Sequence, residues 1–149
     1  MAGKVAFACD HKGVDFRKEI FRILKKNGFE VMDFGTDSPE SCDYPDYMFK
    51  AAEALARGEC VWAIGVCHSG IGSAIAANKV RGVRAALCQS VEEARLCRAH
   101  NDANMLVLGS AFVKIEILED LITTWLNTPV EGGRHERRVN KIRHYENQR

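Results

Sequence analysis

The stretch Val61-Trp62-Ala63-Ile64-Gly65-Val66-Cys67-His68-Ser69-Gly70-Ile71-Gly72-Ser73-Ala74-Ile75-Ala76-Ala77-Asn78-Lys79 decides how this chain folds. Val61 to Val66 is a short apolar run with a polar stretch before it and glycines after it. That is the pattern of a strand buried on both faces of a parallel sheet. The strand stops at Cys67, a turn containing Gly70 and Gly72 follows, and a helix of small residues begins near Gly72. Glycine reaches positive φ and permits close backbone approach, so successive N–H groups can converge on one space. Converging amides at a helix start make an anion or oxyanion site, and such surroundings favour a thiolate over a thiol. Ser69 adds a hydroxyl donor. The chemistry is expected here.

Outward from this centre, strands and helices alternate. Lys4 to Cys9 reads as a strand, Asp10-His11-Lys12-Gly13 as a loop, and Asp15 to Asn27 as an amphipathic helix. In that helix Phe16, Ile20, Ile23 and Leu24 share one face, and Gly28 stops it. Phe29 to Phe34 is a second strand. Gly35 to Asp46 is a loop carrying Asp43-Tyr44-Pro45, and Tyr47 to Arg57 is a helix. Beyond Lys79 come a strand over 83–88, a helix over 91–98 with Ser90 as N-cap, a loop with His100-Asn101-Asp102, a strand over 105–108 and a long helix over 113–126. A basic, polar, helical tail closes the chain. Five strands alternating with helices predict an α/β domain with a doubly wound, Rossmann/flavodoxin-like parallel sheet, one domain over 1–149. A strand order of 2-1-3-4-5 would put the topological switch between the first and third strands. The loops there carry Asp10-His11 and Cys67-His68-Ser69.

The 149 residues suffice for a proper core, and 28% charged with 46% hydrophobic residues is ordinary for a globular domain. A net charge of +1 gives no global field for nucleic acid or a membrane surface. No apolar run approaches the ~20 residues of a membrane span, and the N-terminus lacks a secretory signal pattern, so a cytoplasmic location is expected. Six cysteines (Cys9, Cys42, Cys60, Cys67, Cys88, Cys97) include no C-x-x-C pair and are expected as free thiols. Cys97 and His100 are the nearest thing to a metal pair. With no second pair at ligand spacing, no metal site is expected.

Each candidate has a plainer reading. Cys67 could be a packed strand end, but its glycine turn sets it apart from Cys9 and Cys88. Asp10 could merely cap the next helix. His100 and Asn101 could be a loop hydrogen-bonding cluster, and Tyr44 a core aromatic or a lid. Arg134, His135, Arg137 and Arg138 could be a solvated basic face, although Gly132-Gly133 before them hints at phosphate recognition. The glycine turn is neither G-x-G-x-x-G nor a Walker A loop, so dinucleotide and ATP readings gain little.

The residues Cys9-Asp10-His11, Asp43-Tyr44-Pro45, Cys67-x-Ser69-Gly70-x-Gly72, Ala76-Ala77-Asn78-Lys79, Gly82-x-Arg84-Ala85-Ala86, His100-Asn101-Asp102-x-Asn104 and Gly132-Gly133-Arg134-His135-x-x-Arg138 occur in an order that resembles the ribose-5-phosphate isomerase B family. That family also contains galactose-6-phosphate and allose-6-phosphate isomerases, and the resemblance covers nearly the whole chain. It implies an aldose–ketose isomerase working through an enediolate, without metal or organic cofactor, on ribose 5-phosphate as first choice. It implies Cys67 as the base moving a proton between C1 and C2, with Ser69 and the Gly70–Gly72 amides holding the enediolate oxygen. His100, assisted by Asp10, would open the furanose ring. His11, Arg134 and Arg138 would bind phosphate, with Tyr44 and Asn101 lining the sugar; His68, next to Cys67, would then stand within the sugar pocket. A homodimer or homotetramer with shared active sites is implied as well.

Three positions depart from the family's pattern: His68 where glycine is usual, Ala111 where a phosphate-contacting arginine is usual, and Ser69 for threonine. They leave another sugar or sugar phosphate, or a non-catalytic sugar-phosphate-binding subunit, as alternatives. A flavodoxin-like electron carrier would need a hydroxyl-rich loop after the first strand. A phosphoacceptor receiver would need an aspartate where Cys67 stands. Neither pattern is present.

Overall fold

The computed structural model describes residues 2–149. Five parallel strands form one sheet: β1 (Gly3–Cys9), β2 (Phe29–Asp33), β3 (Trp62–Cys67), β4 (Ala85–Leu87) and β5 (Met105–Gly109). Six α-helices accompany them: α1 (Val14–Lys26), α2 (Tyr44–Ala56), α3 (Ile71–Asn78), α4 (Val91–Asn101), α5 (Leu118–Asn127) and α6 (Arg134–Asn147). The doubly wound parallel α/β architecture with a helical tail is therefore present.

The strand order is β2-β1-β3-β5-β4, so the expected order of the last two strands is reversed. The physical reason lies in the two sequences. Met105-Leu106-Val107-Leu108-Gly109 is buried at every position and sits between β3 and β4. Ala85-Ala86-Leu87 is only half-buried and takes the edge. That edge strand is held by two asparagine side chains. Asn78 donates to Ala85 O (2.9 Å) and accepts from Ala85 N (2.8 Å). Asn104 accepts from Arg84 N (2.7 Å) and donates to Gly82 O (2.8 Å). β1 and β3 remain adjacent, so the switch point stays where it was expected.

Helices cover both faces. On one, Phe16, Ile20, Ile23 and Leu24 of α1 pack with Leu121, Ile122 and Trp125 of α5. On the other, Met48, Ala51 and Ala52 of α2 lie against Ala6, Ala8 and Ala63. Small residues bring α2 close to the sheet. A Cβ at Gly65 would stand 2.7 Å from Met48 Sδ, inside contact distance, so glycine there makes room for the helix.

Several boundaries moved. α2 begins at Tyr44, with Pro45 in its first turn where a missing N–H costs nothing, so Tyr44 is helical and not in a loop. α4 runs through His100 and Asn101 to Asp102, which ends it at φ 46°. Asp102 binds Arg98 (2.9 Å), Arg143 (3.0 Å) and Arg84 (3.3 Å), and this knot fixes α6 beside α4. The helix expected over 113–126 is a 3-10 turn at Ile115–Ile117 followed by α5.

Candidate active site

The carboxyl ends of β1 and β3 place the first group of candidates. Cys9 is the register partner of Val66, so Asp10 and Cys67 leave the sheet side by side, and Asp10 N donates to Val66 O (3.3 Å). Cys67 is 4% and Asp10 5% exposed. An Asp10 carboxylate oxygen accepts from Lys12 N (2.9 Å), which shapes the turn that presents His11. His11 Nδ1 accepts from Cys42 N (3.3 Å), fixing the ring against the loop before α2.

The turn after Cys67 has the expected geometry. Gly70 adopts φ +79°, and a Cβ there would collide with Leu87 and the Gly109 backbone, so only glycine fits. Ser69 Oγ accepts from Ile71 N (3.2 Å), which leaves its own proton free to donate. The amides of Gly70, Gly72 and Ser73 have no protein acceptor among the described residues. They stand at the positive end of α3, as an oxyanion or anion site requires. Gly109, the register partner of Cys67, presses its backbone on Ser69 O so closely that a Cβ would overlap it. The turn is thus clamped from β5, and Ser110 N and Ala111 N donate to Cys67 O and His68 O, each at 2.9 Å. His68 itself is exposed.

Tyr44 lies across this turn. A Cβ at Gly72 would meet the Tyr44 ring, its hydroxyl oxygen at 2.5 Å. Gly72 is therefore glycine because the tyrosine occupies its side-chain space. We expect Gly72→Ala to push Tyr44 off the cleft, raising KM for a bound sugar phosphate roughly tenfold, about 1.4 kcal/mol. The melting temperature should hold or rise, because alanine favours the helix. Steady-state kinetics with a thermal melt check both; an unchanged KM would remove Tyr44 from the sugar's surroundings.

The second group sits elsewhere. His100 and Asn101 end α4, which runs antiparallel to the strands and finishes at their amino ends. Asn104, just beyond, accepts from Ala63 N through its carbonyl (3.2 Å) at the start of β3. Cys67 lies four residues farther along that strand, ~13 Å away at ~3.3 Å per residue. The structure therefore brings Asp10, His11, Tyr44, Cys67, His68, Ser69, Gly70 and Gly72 together, and puts His100, Asn101, Arg134 and Arg138 at the other end of the sheet. Arg134 and Arg138 are exposed on α6 and make no ion pair among the described residues.

Around His100 are Glu131, which no sequence motif singles out, and His135, which the sequence places only on the basic face of the tail. The His100 and His135 rings stack at 4.0 Å and 5°, and both Nε2 atoms face Glu131 Oε2, at 3.5 and 3.4 Å. Desolvation, together with the neighbouring His100 and Arg134, pushes the His135 pKa below its usual range. The only sequence signal was the four-residue spacing of Glu131 and His135. Elsewhere, burial pushes the Cys9 thiol up to about 11 and raises Cys60 as well.

The model of the Ribose/Galactose Isomerase family matches residues 5–142. The chain belongs to this family. It is 44% identical to ribose-5-phosphate isomerase B of Escherichia coli (strain K12), over 98% of each chain. It superposes on Clostridium thermocellum ribose-5-phosphate isomerase B with a TM-score of 0.93 and 48% identity, covering 97% of this chain and 98% of the other. Ribose-5-phosphate isomerase B of Mycoplasma genitalium, solved with bound ribulose-5-phosphate, matches with a TM-score of 0.93 and 38% identity, over 98% of this chain and 97% of that one. The resemblance read from the sequence motifs is the correct one.

Proposed function

We propose that this isomerase-family chain interconverts ribose 5-phosphate and ribulose 5-phosphate within a single domain, by proton transfer through an enediolate. The observation that carries the reading is Cys67 at a strand end beside the unpartnered amides of Gly70, Gly72 and Ser73. A thiolate takes the C2 proton, and the charge that develops on O1 falls on those amides and on the Ser69 hydroxyl. The O2 proton passes to O1, and Cys67 returns its proton to C1, leaving the ketone at C2. No metal is needed when oriented dipoles already meet the oxyanion.

The ring must open first: a proton goes to the ring oxygen O4 while O1 gives one up, and the C1–O4 bond breaks. Asp10 and His100 are the groups proposed for this step. A single chain holds them at opposite ends of its sheet, so the His100 that serves a given Cys67 comes from a second copy, along with Asn101, Arg134 and Arg138. That requirement supports a homodimer or a larger assembly with shared sites. His11 and the two unpaired guanidiniums are suited to the phosphate. No helix is long and apolar enough to cross a membrane, and the six free cysteines fit a reducing cytoplasm.

One observation favours a changed substrate as the second reading: the two main departures from the family's pattern are neighbours, with Ala111 N hydrogen-bonded to His68 O at 2.9 Å. The added imidazole and the missing cation thus fall on two hydrogen-bonded backbone segments. The deciding experiment assays the purified chain in chelator-treated buffer on ribose 5-phosphate, hexose 6-phosphates and free pentoses. Turnover of ribose 5-phosphate above the rest is expected. Preference for another sugar would assign the pair His68/Ala111 to the altered specificity.

A further inference from the structure

His100, Glu131 and His135 converge from three separately anchored segments: the last turn of α4, the linker before α6 and the first turn of α6. Glu131 is pinned by its own backbone, which donates to Ala99 O at 2.9 Å. The three ligand atoms lie within 4.8 Å of one another, and the two Nε2 atoms sit 3.5 and 3.4 Å from one carboxylate oxygen. Those separations exceed a normal N–H···O hydrogen bond. They match the edge of a tetrahedral shell, which for metal–ligand bonds of ~2.0–2.2 Å is roughly 3.3–3.5 Å. Two imidazoles and one carboxylate form the donor set of open, three-ligand zinc sites, with a fourth position left for water. His100 is about a third exposed and Glu131 about half, so the cluster is reachable from solvent.

We infer that His100, Glu131 and His135 form a site for a divalent transition cation of the zinc class, and that a bound cation withdraws His100 from the isomerase machinery. The second half rests on the ring-opening role proposed above for His100. The cation would be an inhibitor here and not a cofactor, because it occupies the nitrogen that must exchange a proton with the sugar. Capture requires the stacked rings to turn about their Cβ–Cγ bonds toward a common point, a motion the broad torsional wells of imidazoles allow. Arg134 and Arg138 on the same helix oppose a dication and keep the site reversible.

The test titrates the intact protein with cobalt(II), then zinc(II). One ion per chain is expected, with the visible absorption of a four-coordinate nitrogen and oxygen site and no thiolate-to-cobalt charge-transfer band. His135→Ala and Glu131→Gln should each weaken binding more than tenfold, and Cys67→Ala should leave it unchanged. Zinc should slow turnover of ribose 5-phosphate while sparing its 4-deoxy analogue, which cannot close a furanose ring. Binding that survives His135→Ala, or that carries the thiolate band and disappears with Cys67→Ala, overturns the site. Stoichiometric binding with unchanged turnover overturns the inhibition. Failure to isomerise ribose 5-phosphate in metal-free buffer, with cobalt binding intact, would instead strike the proposed function and leave the site standing.

Discussion

Cys67→Ala is expected to bind ribose 5-phosphate and fail to convert it, with kcat lower by roughly 10³-fold, the usual worth of a positioned acid–base group. The fold should not notice. Cys67 is anchored through its backbone carbonyl to Ser110 N (2.9 Å), and the turn is held by Gly70 and Gly109, none of which depends on the sulfur. No neighbouring thiol can deputise. Cys9 is on the adjacent strand, but burial pushes its pKa to about 11, so it stays protonated at neutral pH, with its sulfur directed at Thr36 O. The distinguishing readout is loss of solvent deuterium incorporation at C1 of the ketose, measured beside calorimetric binding of the substrate. An alanine variant with near-full turnover would sink the assignment. One that loses binding to the same extent would make Cys67 a structural residue.

The geometry of the candidate site around Cys67 was legible in the sequence because its determinants are local. A strand, a glycine turn and a helix of small residues are consecutive, and their geometry follows from residue type. The reason for Gly72 was not legible: the Tyr44 ring that claims its space arrives from a helix nearly thirty residues earlier. The order of β4 and β5 was misread even though a signal existed. Met105-Leu106-Val107-Leu108 is uniformly apolar, as a central strand must be, whereas Ala85-Ala86-Leu87 is shorter and follows Arg84, with Gln89-Ser90 just past Cys88. His100 was placed in a loop because Asn101 and Asp102 resemble turn residues. The helix in fact continues to Asp102, whose carboxylate is engaged by Arg98 one turn earlier and by Arg84 and Arg143 from outside the helix. The two long-range partners of that knot have no trace in local spacing. The meeting of His135 and Glu131 with His100 was not legible for the same reason: His100 is on another helix.

The position of His100 leads to the other large effect. His100→Ala should lose roughly 10²-fold on ribose 5-phosphate, the lower range for one acid–base group, because most of that sugar is a closed furanose. The 4-deoxy analogue lacks the O4 that would close the ring, so its conversion should fall by a few-fold only. Equal losses on both would move His100 from ring opening to sugar binding. The same variant tests where the histidine comes from. Cys67→Ala and His100→Ala chains are each expected to be nearly inactive alone. In a heterodimer with shared sites, one cleft joins the intact Cys67 of one copy to the intact His100 of the other, and the second cleft carries both substitutions. Random remixing makes half of the dimers mixed with one good site in two, so activity should return to about a quarter of the wild-type value for a twofold-symmetric assembly. A site built within one chain would recover nothing on mixing. It would also require His100 and Cys67 to meet across the ~13 Å of strand that separates Ala63 from Cys67.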